Sequence, residues 1–247
     1  MKLNDTGGVR KGVILAGGMG TRLHPLTRVT NKHLLPVGDQ PMIFHPIRTL
    51  VDAGITELLI VLGGESVGDF VRLLGDGSEF GLKILYYAHQ AKADGIAGAL
   101  RLAEHFIYGD PFVVMLGDNI VDRSIKPYVD KFSANPERAR ILLKSVDHPE
   151  RFGVAVVEKG KITRIVEKPK EKMGNLAVTG IYMYPSDVFE IVRELKPSRR
   201  GELEITDVNN GYLTRDRLEH DLFEGTWTDA GTFPSLRFAT QAIWNRK

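Results

Sequence analysis

The 247-residue chain is 43% apolar, 26% charged and 8% aromatic, the composition of a globular protein long enough to bury a sizeable core. With 33 Lys and Arg against 31 Asp and Glu, the net charge is +2, too balanced for a protein that coats nucleic acid or an anionic membrane. Cysteine is absent, which excludes disulfides, thiolate metal sites and a cysteine nucleophile and suits a cytoplasmic setting.

No apolar run reaches the roughly 18 residues of a membrane span. The polar stretch Met1 to Arg10, with Gly7-Gly8, lacks the apolar core of a signal peptide and reads as a frayed tail. Gly12 to Ala16 is a short apolar run ending in glycines, which predicts a buried strand. Pro41 to Ala53 sets Met42, Ile43, Ile47, Leu50 and Val51 near one helical face, with Gly54 as a stop. Glu57 to Leu62 predicts a second strand, Val67 to Leu74 a short helix and Lys83 to Ala88 a third strand. A helix over Gly95 to Phe106 and a strand over Phe112 to Leu116 follow. This alternation implies a largely parallel sheet covered on both faces, with ligands beyond the carboxyl ends of its strands. Those ends carry Gly17-Gly18, Gly63-Gly64, Gln90 and Gly117-Asp118.

The second half is less regular. Ala139 to Val146 predicts a strand, and Val154 to Glu158 and Lys161 to Glu167 flank the hairpin signal Lys159-Gly160. Leu176 to Tyr184 predicts a strand, and helices are expected around Ser186 to Leu195 and Glu204 to Leu213. A strand near Leu218 to Phe223 leads to Trp227-Thr228-Asp229 and a final helix. With no internal repeat and no low-complexity linker, the chain reads as one α/β domain over residues 1–247, with a mixed sheet.

Leu15-Ala16-Gly17-Gly18-Met19-Gly20-Thr21-Arg22-Leu23 places three glycines in four positions directly after a strand, where backbone N–H groups can approach an anion. It is neither a dinucleotide fingerprint, which would need Gly at Leu23, nor a P-loop, since Gly-Lys-Ser/Thr occurs nowhere. Arg22 follows the loop, and Lys32 follows in Asn31-Lys32-His33. A glycine loop with two bases suits a triphosphate; a glycine-rich turn with two solvated bases has the same spacing. Asp118 follows an apolar strand, and Asp229 is a candidate second carboxylate for a hard metal such as Mg²⁺. A capping or turn role is the alternative for each. Lys168 precedes Pro169, which favours extended backbone and suits a point charge for phosphate; a solvated lysine at a strand end is the alternative. His33, His45, His89 and His148 show no zinc spacing and read as surface or packing residues.

Taken in order, these segments resemble the sugar nucleotidyltransferases, most nearly the glucose-1-phosphate thymidylyltransferases. The resemblance also takes in Pro149-Glu150-Arg151-Phe152-Gly153-Val154, Val166-Glu167-Lys168-Pro169, Ala177-Val178-Thr179-Gly180, Arg200-Gly201-Glu202-Leu203-Glu204-Ile205-Thr206-Asp207 and Trp227-Thr228-Asp229-Ala230-Gly231. It implies a Rossmann-like fold with a mixed, mostly parallel sheet, a nucleotide-binding part over about 11–127 and a sugar-binding part over about 139–231. The implied reaction joins dTTP and glucose 1-phosphate, with Mg²⁺, to give dTDP-glucose and pyrophosphate in a dimer or tetramer.

By the same resemblance Leu15, Gly17, Gly18, Gly20, Thr21 and Arg22 hold the nucleotide, and Lys32 the leaving pyrophosphate. Gln90 and Gly95 face the base, and Asp118 and Asp229 ligate the metal. Gly153, Glu167, Lys168 and Thr179 face the sugar phosphate. Arg22, Lys32 and Lys168 are the implied catalytic residues, as cations. Met19, His33 and Phe152 depart from the residues usual in the family, and the chain resembles its short form. Alternatives are a uridylyl-, cytidylyl- or guanylyltransferase, or a regulatory paralogue without turnover. The retention of Arg22, Lys32, Asp118 and Asp229 favours an enzyme.

Overall fold

The structure, a computed structural model, describes residues 8–245. Most of the expected frayed tail, Met1 to Gly7, therefore lies outside the described residues. The elements in chain order are β1 (Lys11–Ala16), β2 (Pro36–Val37), β3 (Gln40–Pro41), α1 (Phe44–Asp52), β4 (Glu57–Gly63), α2 (Val67–Leu74) and β5 (Ile84–Gln90). They continue with α3 (Ile96–Arg101), α4 (Glu104–Ile107), β6 (Phe112–Leu116), β7 (Asn119–Val121), α5 (Lys126–Ala134), β8 (Ala139–Ser145), β9 (Gly153–Glu158) and β10 (Lys161–Glu167). The last are β11 (Leu176–Tyr184), α6 (Val188–Glu194), α7 (Ile205–Thr214), β12 (Leu218–Leu222), β13 (Trp227–Asp229) and α8 (Phe233–Trp244).

Nine of these strands form one mixed, mostly parallel sheet with the path β10-β9-β11-β6-β1-β4-β5, and β8 branches from β11 and carries β12 on its other edge. β6, β1, β4 and β5 run parallel. β11 runs against them, pairing with β6, β8 and β9. It is the seam between the two halves of the chain. The central strands are apolar on both faces because both faces are covered. Successive residues point to opposite sides, so Val13 and Leu15 enter one core while Ile14 and Ala16 enter the other. The first core packs against α3, α4, α6 and α7, through residues such as Leu100, Ile107, Phe189 and Val208. The second packs against α1, α2 and α5, through Ile47, Leu50, Phe70 and Phe132. α8 closes a smaller core with Val37, Met42 and Ile120.

Besides the short strands β2, β3, β7 and β13, which no sequence run announces, three elements differ from the sequence expectation. The helix expected from Pro41 starts only at Phe44, because Pro41 pairs back onto Pro36 in the β2–β3 hairpin. The helix expected over Gly95 to Phe106 is two helices, separated where Leu102 and Ala103 donate to the carbonyls of Ala99 and Leu100, three residues back. Such tightening ends an α-helix. α5 was not foreseen; Val129 and Phe132 are its only buried residues, too few for a clear period.

Candidate active site

β1 runs straight into the glycine loop, which lies on the stem of Lys32. A Cβ at Gly18 would stand 3.3 Å from Lys32 Cε, and one at Gly20 only 2.8 Å from Lys32 Cβ. Gly20 also holds φ 65°, a left-handed turn that favours glycine. Its carbonyl accepts from the Leu23 N–H at 2.9 Å and the Thr27 hydroxyl at 2.7 Å. The glycines thus leave N–H groups open to an anion and let a lysine pass beneath them. Gly17 faces Gln90 at the end of β5, where a Cβ would meet Gln90 Oε1 at 2.2 Å. The Gln90 amide nitrogen donates to Asp94 Oδ1 at 2.9 Å and to the Gly95 carbonyl at 3.2 Å. Both partners are acceptors, so the orientation of the amide is determined and only Oε1 is left to face a ligand.

The carboxylates meet because the chain pairs β7 with β13, with Asn119 opposite Asp229, and because the Ala230 N–H donates to the Asp118 carbonyl at 2.7 Å. A Cβ placed on Gly231 would lie 2.9 Å from Arg22 Nη2, 3.4 Å from Asp118 Oδ2 and 3.6 Å from Asp229 Oδ2. One base and two acids therefore converge on one point, from three distant parts of the sequence. Asp118 is buried, and Lys32 Nζ lies 2.5 Å from its Oδ2. Burial is the largest single influence and would raise its carboxyl, but the neighbouring charge, Lys32 foremost, and the hydrogen bonds from Lys32 and Asn119 together outweigh it and hold the carboxyl below the usual carboxylate range. Asp229 moves the other way: burial first, then the charge of Asp118, push it up, against Arg151, Arg22 and Lys32. Two carboxylates that repel across a shared space suit a hard divalent cation. Among the described residues no cluster of three or more His, Cys, Asp or Glu stands ready for a metal.

His33 is buried beneath this site, against Gly117, where a Cβ would meet its ring at 2.8 Å. Asn31 Oδ1 accepts from the His33 backbone N–H at 3.0 Å and lies 2.8 Å from Nδ1, so Nδ1 carries the ring proton. Burial, with the Lys32 charge, lowers the imidazole from 6.5 to about 3. Between those values the unfolded chain binds a proton that the fold does not. Stability contributed by neutral His33 is therefore present above about pH 6.5 and lost as pH falls toward 3, by up to ~1.4 kcal/mol per pH unit. The urea midpoint of the wild type is expected to fall more steeply between pH 7 and 5 than that of His33→Gln. Equal slopes would show that His33 is not the group titrating.

Across the cavity, β10 ends at Glu167, and the Lys168 N–H donates to the Phe152 carbonyl at 2.9 Å. Lys168 was expected to be extended; instead it holds φ 42°. The hydrogen bond that closes the β9–β10 ladder and the turn into Pro169 select this left-handed geometry, at a cost of about 1–3 kcal/mol. Glu167 accepts from the Thr206 hydroxyl at 2.6 Å, which ties the end of β10 to α7.

These groups line one cavity of about 440 Å³ at the carboxyl ends of β1, β5 and β6. Every expected site residue lines it except Gly20, Thr21 and Thr179. Gly20 and Thr21 shape the loop from outside. Thr179 is a correction: Val178, Gly180 and Tyr182 of β11 line the cavity, whereas Thr179 is fully buried and its hydroxyl donates to the Leu142 carbonyl at 2.9 Å. Strand alternation turns its side chain away from the cavity. Among the lining residues for which no role was expected are Asn119, Arg151 and Arg200. Asn119 accepts from the Gly180 N–H at 2.9 Å and the Trp227 indole at 2.6 Å and donates to Asp118 Oδ1 at 3.1 Å. Arg200 pairs with Glu204 at 2.7 Å and with Glu202 at 3.0 Å. All three stand inside family-like segments, but only the fold shows what they touch.

The sequence matches the nucleotidyl transferase family over residues 11–246. It is 43% identical to a glucose-1-phosphate thymidylyltransferase of Neisseria meningitidis over 237 residues, covering 94% of this chain and 82% of that one. A Bacillus anthracis structure assigned as a glucose-1-phosphate thymidylyltransferase, in complex with a sucrose, is 55% identical with a TM-score of 0.90, covering 94% of each chain. A UDP-glucose pyrophosphorylase complexed with UDP-glucose is 25% identical with a TM-score of 0.84, covering 97% of this chain and 100% of that one. A sheet edge built of glycine loop, bases and paired carboxylates, together with a match over nearly the whole length, establishes that the chain belongs to the nucleotidyl transferase family.

Proposed function

We propose that the protein transfers a thymidylyl group from dTTP to glucose 1-phosphate, giving dTDP-glucose and pyrophosphate, with Mg²⁺ as the metal. The observation that carries this reading is the convergence of Arg22, Asp118 and Asp229 beside the glycine loop, with Lys168 on the same cavity. The names of the relatives supply the base and the sugar. An oxygen of the sugar phosphate attacks the α-phosphorus, and the bond from that phosphorus to the pyrophosphate oxygen breaks. The attacking group is already ionised, so no side-chain nucleophile or base is required; the protein positions and neutralises two anions. Arg22 and the loop N–H groups hold the triphosphate, Lys32 takes the leaving pyrophosphate, and Lys168 holds the sugar phosphate. Asp118 and Asp229 would hold the metal, which supplies charge neutralisation when bound.

We read residues 11–127 as the nucleotide half and 139–231 as the sugar half of one domain. An oligomer, dimer or tetramer, working in the cytoplasm without nucleic acid or membrane is part of the same proposal; among the described residues no helix is long and apolar enough to cross a membrane. With its nitrogen engaged by Asp94 and Gly95, Gln90 offers the base an acceptor. That acceptor suits the ring N3–H of thymine or uracil and opposes the bare N3 of cytosine. A uridylyltransferase is the second reading, favoured by the UDP-glucose pyrophosphorylase likeness. The two bases differ by one methyl group, worth about 1–3 kcal/mol or roughly 10- to 200-fold. The test is kcat/KM for dTTP, UTP, CTP, ATP and GTP with glucose 1-phosphate. The expected order is dTTP, then UTP, with ATP and GTP far behind, and with discrimination against CTP relaxed in Gln90→Ala. Preference for a purine triphosphate would overturn the assignment, and an unchanged ranking in Gln90→Ala would remove Gln90 from base reading.

A further inference from the structure

Arg151 is a second cation aimed at the carboxylate pair. It ends the short turn Pro149–Arg151 that leads into β9, and its Nη2 lies 3.2 and 3.4 Å from the two oxygens of Asp229. Its guanidinium sits over the Phe152 ring at 5.3 Å, and that ring meets Trp227 edge-on at 5.0 Å. Trp227 opens β13, the strand that ends at Asp229. The arginine is thus held to the carboxylate's own strand by two aromatic rings. Its side chain is 40% exposed and that of Asp229 15%, so the guanidinium has a way out and the carboxylate does not. Asp118 has a matching partner in Lys32. Each acid of the pair carries its own resident cation, and a metal taken by the pair must compete with both.

The turn that bears Arg151 is also tied to the sugar-phosphate side. Phe152 and Gly153 line the cavity, and the Phe152 carbonyl accepts the Lys168 N–H at 2.9 Å. Resting on the reading of Asp118 and Asp229 as metal ligands, we propose that Arg151 is a positioning residue, a counter-ion on Asp229 that a divalent cation displaces and that then serves the anionic sugar phosphate beside Lys168. A cation at Asp229 and an anion beside Lys168 both favour Arg151 off the carboxylate. The two sites are therefore coupled through one side chain, and the coupling is reciprocal.

The probe is Mn²⁺ binding to the nucleotide-free protein, read from the loss of the free-ion paramagnetic resonance signal, with and without glucose 1-phosphate. Arg151→Ala is expected to bind Mn²⁺ about fivefold tighter than wild type, the upper end for a partly exposed ion pair. Loosening of the site would weaken binding instead. Arg151→Lys should stay near wild type, and Arg28→Ala, which removes an equal charge from an exposed position, should leave Mn²⁺ affinity unchanged. Glucose 1-phosphate should tighten Mn²⁺ binding in wild type but not in Arg151→Ala. No gain in Arg151→Ala overturns the proposal, as does an equal gain in Arg28→Ala. Coupling that is absent from wild type, or kept in Arg151→Ala, overturns its sugar-phosphate half. The Mn²⁺ arm needs neither dTTP nor turnover, so a different preferred substrate leaves it standing. Asp229→Asn binding Mn²⁺ as well as wild type would instead remove the metal site, and this proposal with it.

Discussion

Asp118→Asn is expected to lower kcat on the order of 10²–10³-fold, the scale of losing one group that stabilises the transition state, while the protein stays folded. The substitution keeps the shape of the side chain but removes its charge. The bond from Asn119 Nδ2 to Oδ1 and the ion pair to Lys32 Nζ both depend on an acceptor at this position, so one amide oxygen must serve where two carboxylate oxygens did. Lys32 would lose its charged partner and stay where the pyrophosphate leaves. Asp229→Asn should fall in the same range, since it removes the other carboxylate of the pair. Pyrophosphate release measured across Mg²⁺ concentrations checks both. Near-normal Mg²⁺-dependent turnover in either variant would remove that residue from the metal site.

Arg22→Ala and Lys168→Ala are expected to fail toward different substrates. Charged hydrogen bonds are worth roughly 1.5–3 kcal/mol, or about 10- to 150-fold. Arg22 Nη2 points to the carboxylate pair from the glycine-loop side, so its loss should appear in kcat/KM for the triphosphate. Lys168 Nζ stands at the end of β10, 3.8 Å from Glu167 Oε1, so its loss should appear in kcat/KM for glucose 1-phosphate. Both side chains are exposed, so neither variant should disturb the core. Identical defects toward both substrates in both variants would defeat the division of labour.

The strands at the centre of the sheet were legible because their burial is extreme. Phe112–Leu116 and Leu176–Tyr184 are apolar runs with turn residues at each end, and the structure reproduces their bounds. The glycine loop, Asp118 and Asp229 were legible in the residue pattern as types, and only the family resemblance brought them together. Their meeting depends on the β7–β13 pairing, a long-range contact between two three-residue strands, and such short pieces leave no periodicity. Thr179 was misplaced for a related reason: a family-like segment does not say which face of β11 each residue takes, whereas the pleat does. Lys168 was misread because the preference of a residue before proline is a local bias, and the β9–β10 closure overrides it. Arg151 and Asn119 each reach a partner far along the chain, Asp229 at 78 positions and Trp227 at 108.

The seam at β11 also bears on how the chain emerges during synthesis. β6 is almost wholly apolar, and of its two neighbours β1 precedes it while β11 begins about sixty residues after β6 ends. At roughly 5–20 residues per second, one side of β6 stays open for on the order of 3–12 s. An unpaired apolar strand edge is a template for joining another chain. The nascent first half is therefore exposed to aggregation for that interval, and a truncation before Leu176 would make the exposure permanent.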